Sequence, residues 1–196
     1  MQTHIRSIFT THLEVVRRLD ALVPDIERLA RRAADCLTAG GRIFWIGNGG
    51  SAADCQHLAA ELVGRYQRER GGLASIALTT DSSILTSLGN DFGFEAIFAR
   101  QVEALCHPGD LLVALSTSGN SANVLAALAP AAALGVYRVG LTGGSGGRLK
   151  DETDLCLVVP SDNTARIQEA HILIGHLICD LVETRLVEIG LAGGGR

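Results

Sequence analysis

Residues 42–65 are the stretch that most constrains the fold of this chain. The apolar run 42–46 predicts a buried strand, and the glycine-rich residues 47–50 predict a turn. A helix is predicted to open at Ser51, because its hydroxyl can accept hydrogen bonds from the first free backbone N–H groups. A glycine turn before a helix N-terminus favours phosphate or a polar sugar end, since the backbone comes close and the helix end is partly positive.

The same predicted helix carries two titratable side chains. His57 and Glu61 are four residues apart and therefore lie on one face, which indicates chemistry beside the ligand site. The turn also satisfies the dinucleotide pattern G-x-G-x-x-G/A over residues 47–52, and Asp81 could bind a ribose near the end of the next predicted strand. Residues 42–65 alone leave a phosphosugar site and a dinucleotide site equally open.

Strand and helix patterns alternate through the rest of the chain, which predicts an α/β fold with a doubly wound, five-stranded parallel sheet. Two N-terminal helices precede the first strand and a long helix ends the chain. We expect one domain over residues 1–196, with a helical hairpin (1–40), an α/β core (41–190) and a frayed tail (191–196). The predicted strands are 42–46, 74–79, 110–115, 137–141 and 155–159, and the predicted helices include 3–22, 24–40, 81–88, 94–106, 121–134 with a kink or break at Pro130, and 164–187.

Composition excludes several classes of function. The chain has 196 residues, 47% of them hydrophobic and 19% charged, which is typical of a folded globule rather than a disordered chain. A formal net charge of -4 without a basic run argues against nucleic-acid binding. No apolar stretch is long enough for a membrane span, and the N-terminus does not resemble a signal peptide. The 5 scattered cysteines lack a C-x-x-C pair and predict buried free thiols in a reducing cytoplasm.

A second polar loop favours the phosphosugar interpretation. Residues 116–121 read Ser-Thr-Ser-Gly-Asn-Ser, follow a predicted strand and open a predicted helix. An ordinary turn needs one capping residue, whereas here hydroxyls cluster at a helix N-terminus, which suits a phosphate. A dinucleotide domain needs no second loop of this kind. The hydroxyl residues are Ser116, Thr117, Ser118 and Ser121.

Four motifs together resemble the sugar isomerase (SIS) domain family, which has a flavodoxin-like fold, and within it the phosphoheptose isomerases. They are Gly-Asn-Gly-Gly-Ser-Ala-Ala-Asp, Gly-Asn-Asp-Phe-Gly-Phe-Glu, Ser-Thr-Ser-Gly-Asn-Ser and Arg-Ile-Gln-Glu-Ala-His. The resemblance implies aldose–ketose isomerisation of sedoheptulose 7-phosphate to D-glycero-D-manno-heptose 7-phosphate through an enediol, early in ADP/GDP-heptose and lipopolysaccharide synthesis. It also implies a cytoplasmic homotetramer. The alternative is a non-catalytic SIS module that binds the replication initiator DnaA.

The resemblance also implies roles for individual residues. Glu61 is expected as the base and His176 as the acid. One zinc ion per subunit is expected on His57, Glu61, Gln168 and His176. The expected substrate-binding residues are Asn48, Gly49, Gly50, Ser51, Glu61, Arg65, Asn90, Asp91, Ser116, Thr117, Ser118, Ser121 and Gln168.

Two points on the last helix stay open in the residue pattern. Gln168 and His176 are eight residues apart, about 12 Å along a helix, and His171 also lies near the face of Gln168. Periodicity does not choose between the two histidines, whereas the resemblance selects His176. Some family members have an aspartate where this chain has Ala165, so Asp162 or a water would have to take its place.

Overall fold

The computed structural model describes residues 1–190, so the predicted tail at 191–196 lies outside the described residues. The division into hairpin and core stays a prediction. Five strands alternate with helices in the described part of the chain. The elements are α1 Gln2–Arg18, a 3₁₀ turn Leu19–Leu22, α2 Val23–Thr38, β1 Ile43–Gly47, α3 Gly50–Val63, β2 Ser75–Ala77, α4 Ser82–Asp91, a 3₁₀ turn Phe94–Ala96, α5 Ala99–Leu105, β3 Leu111–Leu115, α6 Ala122–Ala126, α7 Leu128–Ala133, β4 Tyr137–Gly143, α8 Leu149–Glu152, β5 Leu155–Val159 and α9 Thr164–Glu188.

The five strands form one parallel sheet in the order β2-β1-β3-β4-β5, which confirms the predicted fold class. This order is that of flavodoxin-like folds, where ligands bind beyond the carboxyl ends of the strands at the point where the order reverses. Here that point lies between β1 and β3. The last paired residues of these strands are Gly47 and Leu115, so the loops that follow them lie side by side.

Apolar side chains cover both faces of the sheet because β1 and β3 are apolar throughout. Along β1, Ile43 and Trp45 join a core cluster with α2, α3 and α9, whereas Phe44 and Ile46 join a second cluster with α5, α6 and α7. All five residues of β1 and of β3 are buried. The alternation of side chains along a strand therefore builds one core on each face.

The helix after the glycine turn begins earlier than predicted, and the capping role of Ser51 was wrong. Gly49 is the N-cap, with φ 55, and Gly50 is already the first helical residue. A positive φ is readily available to glycine, so the turn closes at Gly49. Ser51 lies in the first helical turn and is buried, with 3% of its surface exposed.

Several other helices differ from their predicted bounds: the predicted helix 3–22 ends at Arg18 before a 3₁₀ turn, and the predicted helix 94–106 is α-helical only over Ala99–Leu105. The predicted helix 81–88 extends to Asp91 as α4, so residues 89–91 are helical. Asp81 is its N-cap and accepts from the Ile84 amide at 2.9 Å. The predicted helix 121–134 is divided into α6 and α7 at Ala127, three residues before Pro130. This break confirms the expected effect of Pro130, whose ring leaves no amide hydrogen and crowds the preceding turn.

The cysteines are free thiols, as predicted, and four of them are buried while Cys156 is half-buried. Burial raises the pKa of the Cys55 thiol above its usual range, so Cys55 fills space beneath α3 rather than acting as a nucleophile. Among residues 1–190, no helix has both the length and the apolar character that crossing a membrane requires.

Helices α3 and α9 lie side by side and run in the same direction. Gly50 at the start of α3 lies against Gln168, and Leu58 in its middle lies against Gly175. A Cβ atom at Gly175 would come within 2.5 Å of both Leu58 methyl carbons. Glycine at this position therefore sets how closely the two helices approach.

We expect Gly175→Val to destabilise the fold by about 1–3 kcal/mol, because the added side chain overpacks against the fully buried Leu58. Valine has a better helix propensity than glycine, but this difference offsets only a few tenths of a kcal/mol of the loss in stability. Urea unfolding gives the free energy of unfolding, with the exposed Glu188→Val on the same helix as control. Equal stability of both variants would show that the helices have room to separate.

Candidate active site

The two loops after β1 and β3 are joined by a pair of amide side chains. Asn48 donates to the Asn123 side-chain oxygen at 2.8 Å, and Asn123 donates back to Asn48 at 2.8 Å. Asn123 is buried at the start of α6, directly behind the serine loop. This reciprocal pair fixes the first loop against the second, so one donor and one acceptor position of Asn48 are already used.

The serine loop, residues 116–121, keeps part of its hydroxyl set exposed. Ser116 and Ser121 bond to each other at 2.9 Å between their hydroxyl oxygens, which explains why Ser121 precedes α6 without capping it. Thr117 is half-buried and Ser118 is exposed. The first amide groups of a helix have no intrahelical acceptor. Hydroxyl and amide donors therefore lie together at the edge of the sheet.

Gly119 is the position in the serine loop that requires glycine. Its φ is 67, and a Cβ there would come within 1.9 Å of the Gly146 carbonyl oxygen. The serine loop therefore packs directly on the glycine-rich loop after β4, and the Leu149 amide donates to the Gly119 carbonyl at 2.9 Å. This packing supports the serine loop from behind.

Helices α3 and α9 bring three predicted site residues together. His57 Nε2 lies 2.9 Å from His176 Nε2 and 3.4 Å from a Glu61 carboxylate oxygen. The Tyr66 ring stacks on His176 with ring centroids 5.5 Å apart. Two imidazole nitrogens at 2.9 Å need one proton between them, because two bare lone pairs would repel each other.

The donor atoms of this cluster, two imidazole nitrogens and a carboxylate oxygen, are of kinds that zinc binds. Tetrahedral zinc with nitrogen and oxygen ligands separates its donor atoms by about 3.3 Å, which matches the His57–Glu61 pair. The His57–His176 pair is shorter, and within residues 1–190 no three His, Cys, Asp or Glu side chains already surround a common point as a metal shell. Opening the His57–His176 contact by about 0.4 Å would bring these two nitrogen atoms to zinc spacing.

Gln168 lies apart from the other three predicted zinc ligands. Its side-chain amide lies against Gly50, where a Cβ would meet the nitrogen at 2.6 Å. His57 is seven residues further along α3, roughly 10 Å along the helix axis. A role of Gln168 in zinc binding therefore stays a prediction, and its position beside Gly50 favours contact with substrate.

His171 is separated from the cluster. It is fully buried, and its Nε2 lies 3.2 Å from the Thr142 carbonyl oxygen, to which it donates. Burial lowers the pKa of His171 to about 4, against the opposing effect of this hydrogen bond. His171 is therefore neutral at neutral pH. The geometry answers the question that periodicity left open, since only His176 of the two contacts His57.

The other predicted site residues lie at the surface of the protein. Arg65 is exposed just after α3, and Asn90 and Asp91 are exposed at the end of α4, where Asn90 donates to Asp91 at 2.8 Å. The 3₁₀ turn that follows α4 packs on α6, which holds this segment near the serine loop.

The N-terminus of α9 is organised without an aspartate at position 165. Asn163 is the N-cap and accepts from the amides of Ala165 and Arg166 at 3.0 and 3.3 Å. Asp162 is exposed, and its carboxylate lies close to Gly144. Arg166 and His12 both bind Glu169, so this end of α9 is tied to α1.

Sequence reasoning missed several residues that shape the site. Asn123 and Tyr66 make the contacts described above, and a buried pair, Arg70 and Glu183, holds the segment after α3. Asp54 precedes His57 by one turn, and burial raises the pKa of its carboxyl, against the opposing effect of His57. A cue was available for Tyr66, since only 4% of the chain is aromatic and this tyrosine follows directly after the Glu61 helix.

Comparison with known proteins shows the family of this chain. The sequence model of the SIS domain family matches residues 9–143. The chain is 54% identical to the phosphoheptose isomerase of Roseiflexus sp. (strain RS-1) over 90% of each chain, and 53% identical to that of Rhodospirillum rubrum over 95% of this chain and 99% of the relative. A solved phosphoheptose isomerase from Neisseria gonorrhoeae superposes with a TM-score of 0.89 at 42% identity, covering 93% of this chain and 98% of that one.

The fold, the two polar loops and these similarities define the class: the chain belongs to the SIS domain family. Within that family it groups with the phosphoheptose isomerases, and it is therefore an isomerase that acts on sugar phosphates. The dinucleotide interpretation is not supported, since Asp81 uses its carboxylate to cap α4.

The depressed pKa of His171 predicts a loss of stability in acid. Unfolded histidine has a pKa of 6.5 against about 4 in the fold, so the unfolded state binds more protons as the pH falls from 6.5 toward 4. Lowering the pH from 6.5 to 5 should reduce the free energy of unfolding by up to about 2 kcal/mol more in the native chain than in His171→Gln. Urea unfolding at both pH values measures the difference, and parallel losses would contradict it.

Proposed function

We propose that this isomerase converts sedoheptulose 7-phosphate to D-glycero-D-manno-heptose 7-phosphate in the cytoplasm, as an early step toward ADP/GDP-heptose and lipopolysaccharide. The observation that carries the proposal is the juxtaposition of His57, Glu61 and His176, which lie on helices anchored at the polar sheet edge. Such a reaction moves one proton between two neighbouring carbons, and it needs a base, an acid and a holder for the phosphate.

Glu61 is the base in this proposal. Its side chain is 20% exposed, so a substrate can reach it, and it lies beside His57. Glu61 removes a proton from C1 of the ketose, which leaves an enediol between C1 and C2, and then returns a proton to C2. His176 gives a proton to the oxygen on C2 as the enediol forms, and it takes up the proton of the C1 oxygen as C2 receives its proton, so both residues end in their starting protonation states. The net change is a ketose converted to an aldose with no external redox partner.

The phosphate and the sugar hydroxyls are held by the loops. The serine loop supplies hydroxyl and amide donors to the phosphate, and the first glycine turn approaches the sugar without side-chain obstruction. Gln168 lies at Gly50, where a sugar hydroxyl can meet both. The residues assigned to substrate are Asn48, Gly49, Gly50, Ser51, Glu61, Arg65, Asn90, Asp91, Ser116, Thr117, Ser118, Ser121 and Gln168.

Zinc belongs to the proposal through the donor atoms of His57, Glu61 and His176, with Gln168 as the candidate fourth ligand. When bound, the ion supplies a positive charge that polarises substrate oxygen atoms. Glu61 and His176 would hold the ion as well as move protons.

A homotetramer is the proposed assembly. Helix α1 exposes Ile5, Phe9 and Leu13 at four-residue spacing, and α9 exposes Leu177 and Leu181. Apolar stripes of this kind on neighbouring helices are typical of surfaces that a further copy of the chain covers.

The first test is an assay of sedoheptulose 7-phosphate turnover, which is monitored through the formation of the aldose. Glu61→Gln and His176→Gln keep the size of each side chain closely enough for folding, and we expect each to lower kcat by about 10²–10⁴-fold because proton transfer is lost. The exposed His4→Gln serves as a matched histidine control and should keep native kcat.

An inactive native chain, tested with and without added zinc, would sink the isomerase proposal. In that case the alternative, a non-catalytic module that binds the replication initiator DnaA, would be tested by a direct binding assay. Full activity of Glu61→Gln in an active native background would instead exclude Glu61 as the base.

Zinc content tests the metal site independently of activity. We expect elemental analysis after dialysis to give about one zinc per chain, and His57→Ala to lose it, because the site is left with two of its three histidine and glutamate ligands. His4→Ala should retain the metal. Equal zinc in both variants would remove His57 from the proposed site.

A further inference from the structure

The side chain of Arg70 is buried against the end of the Glu61 helix. Its side chain is 0% exposed, and its guanidinium donates to the Glu61 carbonyl at 2.8 Å and to the Leu62 carbonyl at 2.7 Å. It donates also to the carbonyls of Gly64 and Gly71 at 3.1 and 3.0 Å. The last carbonyls of a helix lack intrahelical partners and carry partial negative charge. Arg70 therefore caps α3 from the segment that follows it.

The partner of Arg70 is Glu183, a fully buried residue on α9. Glu183 lies 2.9 Å from Arg70 and accepts from three successive backbone amides, those of Tyr66, Gln67 and Arg68, at 2.7, 2.9 and 3.0 Å. Burial alone would raise the pKa of the Glu183 carboxyl, but the amides and Arg70 outweigh it and the pKa lies below its usual range. Glu183 is therefore an anion that holds residues 66–70 onto α9.

This contact leads directly to the proposed acid. Glu183 and His176 are seven residues apart on α9, so they lie on nearly the same face, roughly 10 Å apart along the axis. Glu183 holds the backbone amide of Tyr66, and the Tyr66 ring stacks on the His176 imidazole with an angle of 26° between the ring planes. The face of His176 that Tyr66 covers is thus set by the position of the segment.

We propose that Arg70 and Glu183 are positioning residues that hold residues 66–70 so that Tyr66 keeps His176 oriented toward His57 and Glu61. The inference rests on the proposed function for its catalytic consequence. Arg70 fixes the end of the helix that bears Glu61, and Glu183 lies on the helix that bears His176. The Arg70–Glu183 pair therefore fixes the position of Glu61 relative to His176, and it does so without contact with substrate.

Kinetic comparison of four variants tests the proposal. Tyr66→Leu and Glu183→Gln should each lower kcat about tenfold or more with KM within about twofold, because displacement of a reacting group by a fraction of an ångström costs rate. Tyr66→Phe keeps the stacked ring and should restore native kcat. Asp180→Asn is the matched control, since Asp180 holds Arg68 of the same segment through a partly exposed ion pair at 2.7 Å, and it should leave kcat unchanged.

Two NMR measurements test the geometry even where activity is absent. Stacking on Tyr66 should shift the His176 ring proton upfield, and this shift should be lost in Tyr66→Leu and Glu183→Gln but kept in Tyr66→Phe and Asp180→Asn. In the native chain the amides of Tyr66, Gln67 and Arg68 should exchange more slowly than the exposed Gly71 amide. The exchange measurement requires no variant, so misfolding of Glu183→Gln would leave the test intact.

Three results would overturn the proposal: native kcat in Tyr66→Leu, an unshifted His176 signal in the native chain, or amides at 66–68 that exchange as fast as that of Gly71. An inactive native chain with the expected NMR shifts would instead reject the isomerisation and leave the positioning contact standing.

Discussion

The parallel contact between α3 and α9 is the interaction on which the rest of the site depends. Each helix contributes a glycine where the other must come close: Gly50 beneath Gln168 and Gly175 beneath Leu58. Because both helices run in one direction, residues at matching heights face each other along their length. His57 therefore reaches His176, which lies 119 residues away in the chain. A wider separation would leave these imidazoles on separate surfaces.

The sheet supplies the second constraint, since its strand order decides which loops meet. The order reverses between β1 and β3, so Gly47 and Leu115 end next to each other and the two polar loops open at the same edge. The Asn48–Asn123 pair then joins them by two hydrogen bonds. A phosphate held by the serine loop would thus lie beside the start of the helix that carries His57 and Glu61.

The sequence predicted those parts of the molecule that depend on local patterns. Strand alternation gave the parallel sheet, and the four-residue spacing of His57 and Glu61 gave their common face. It did not predict the capping of α3, because the positive φ of Gly49 follows from how the turn closes and not from residue type alone. Nor could it choose between His171 and His176, since helical spacing gives an angle but does not identify the facing helix.

The contacts that escaped prediction are those between distant segments. Tyr66 and Glu183 are 117 residues apart, and nothing in the sequence distinguishes Glu183 from the other glutamates of α9 as the one that accepts from three backbone amides. Backbone amides and carbonyls far apart in the sequence have to find partners when a segment is buried, and a buried carboxylate or guanidinium can satisfy several of them at once. Glu183 does so for the amides of residues 66–68, and Arg70 does so for the last carbonyls of α3. Which charged residue takes this role follows from how the segments pack, and local sequence patterns do not contain that information.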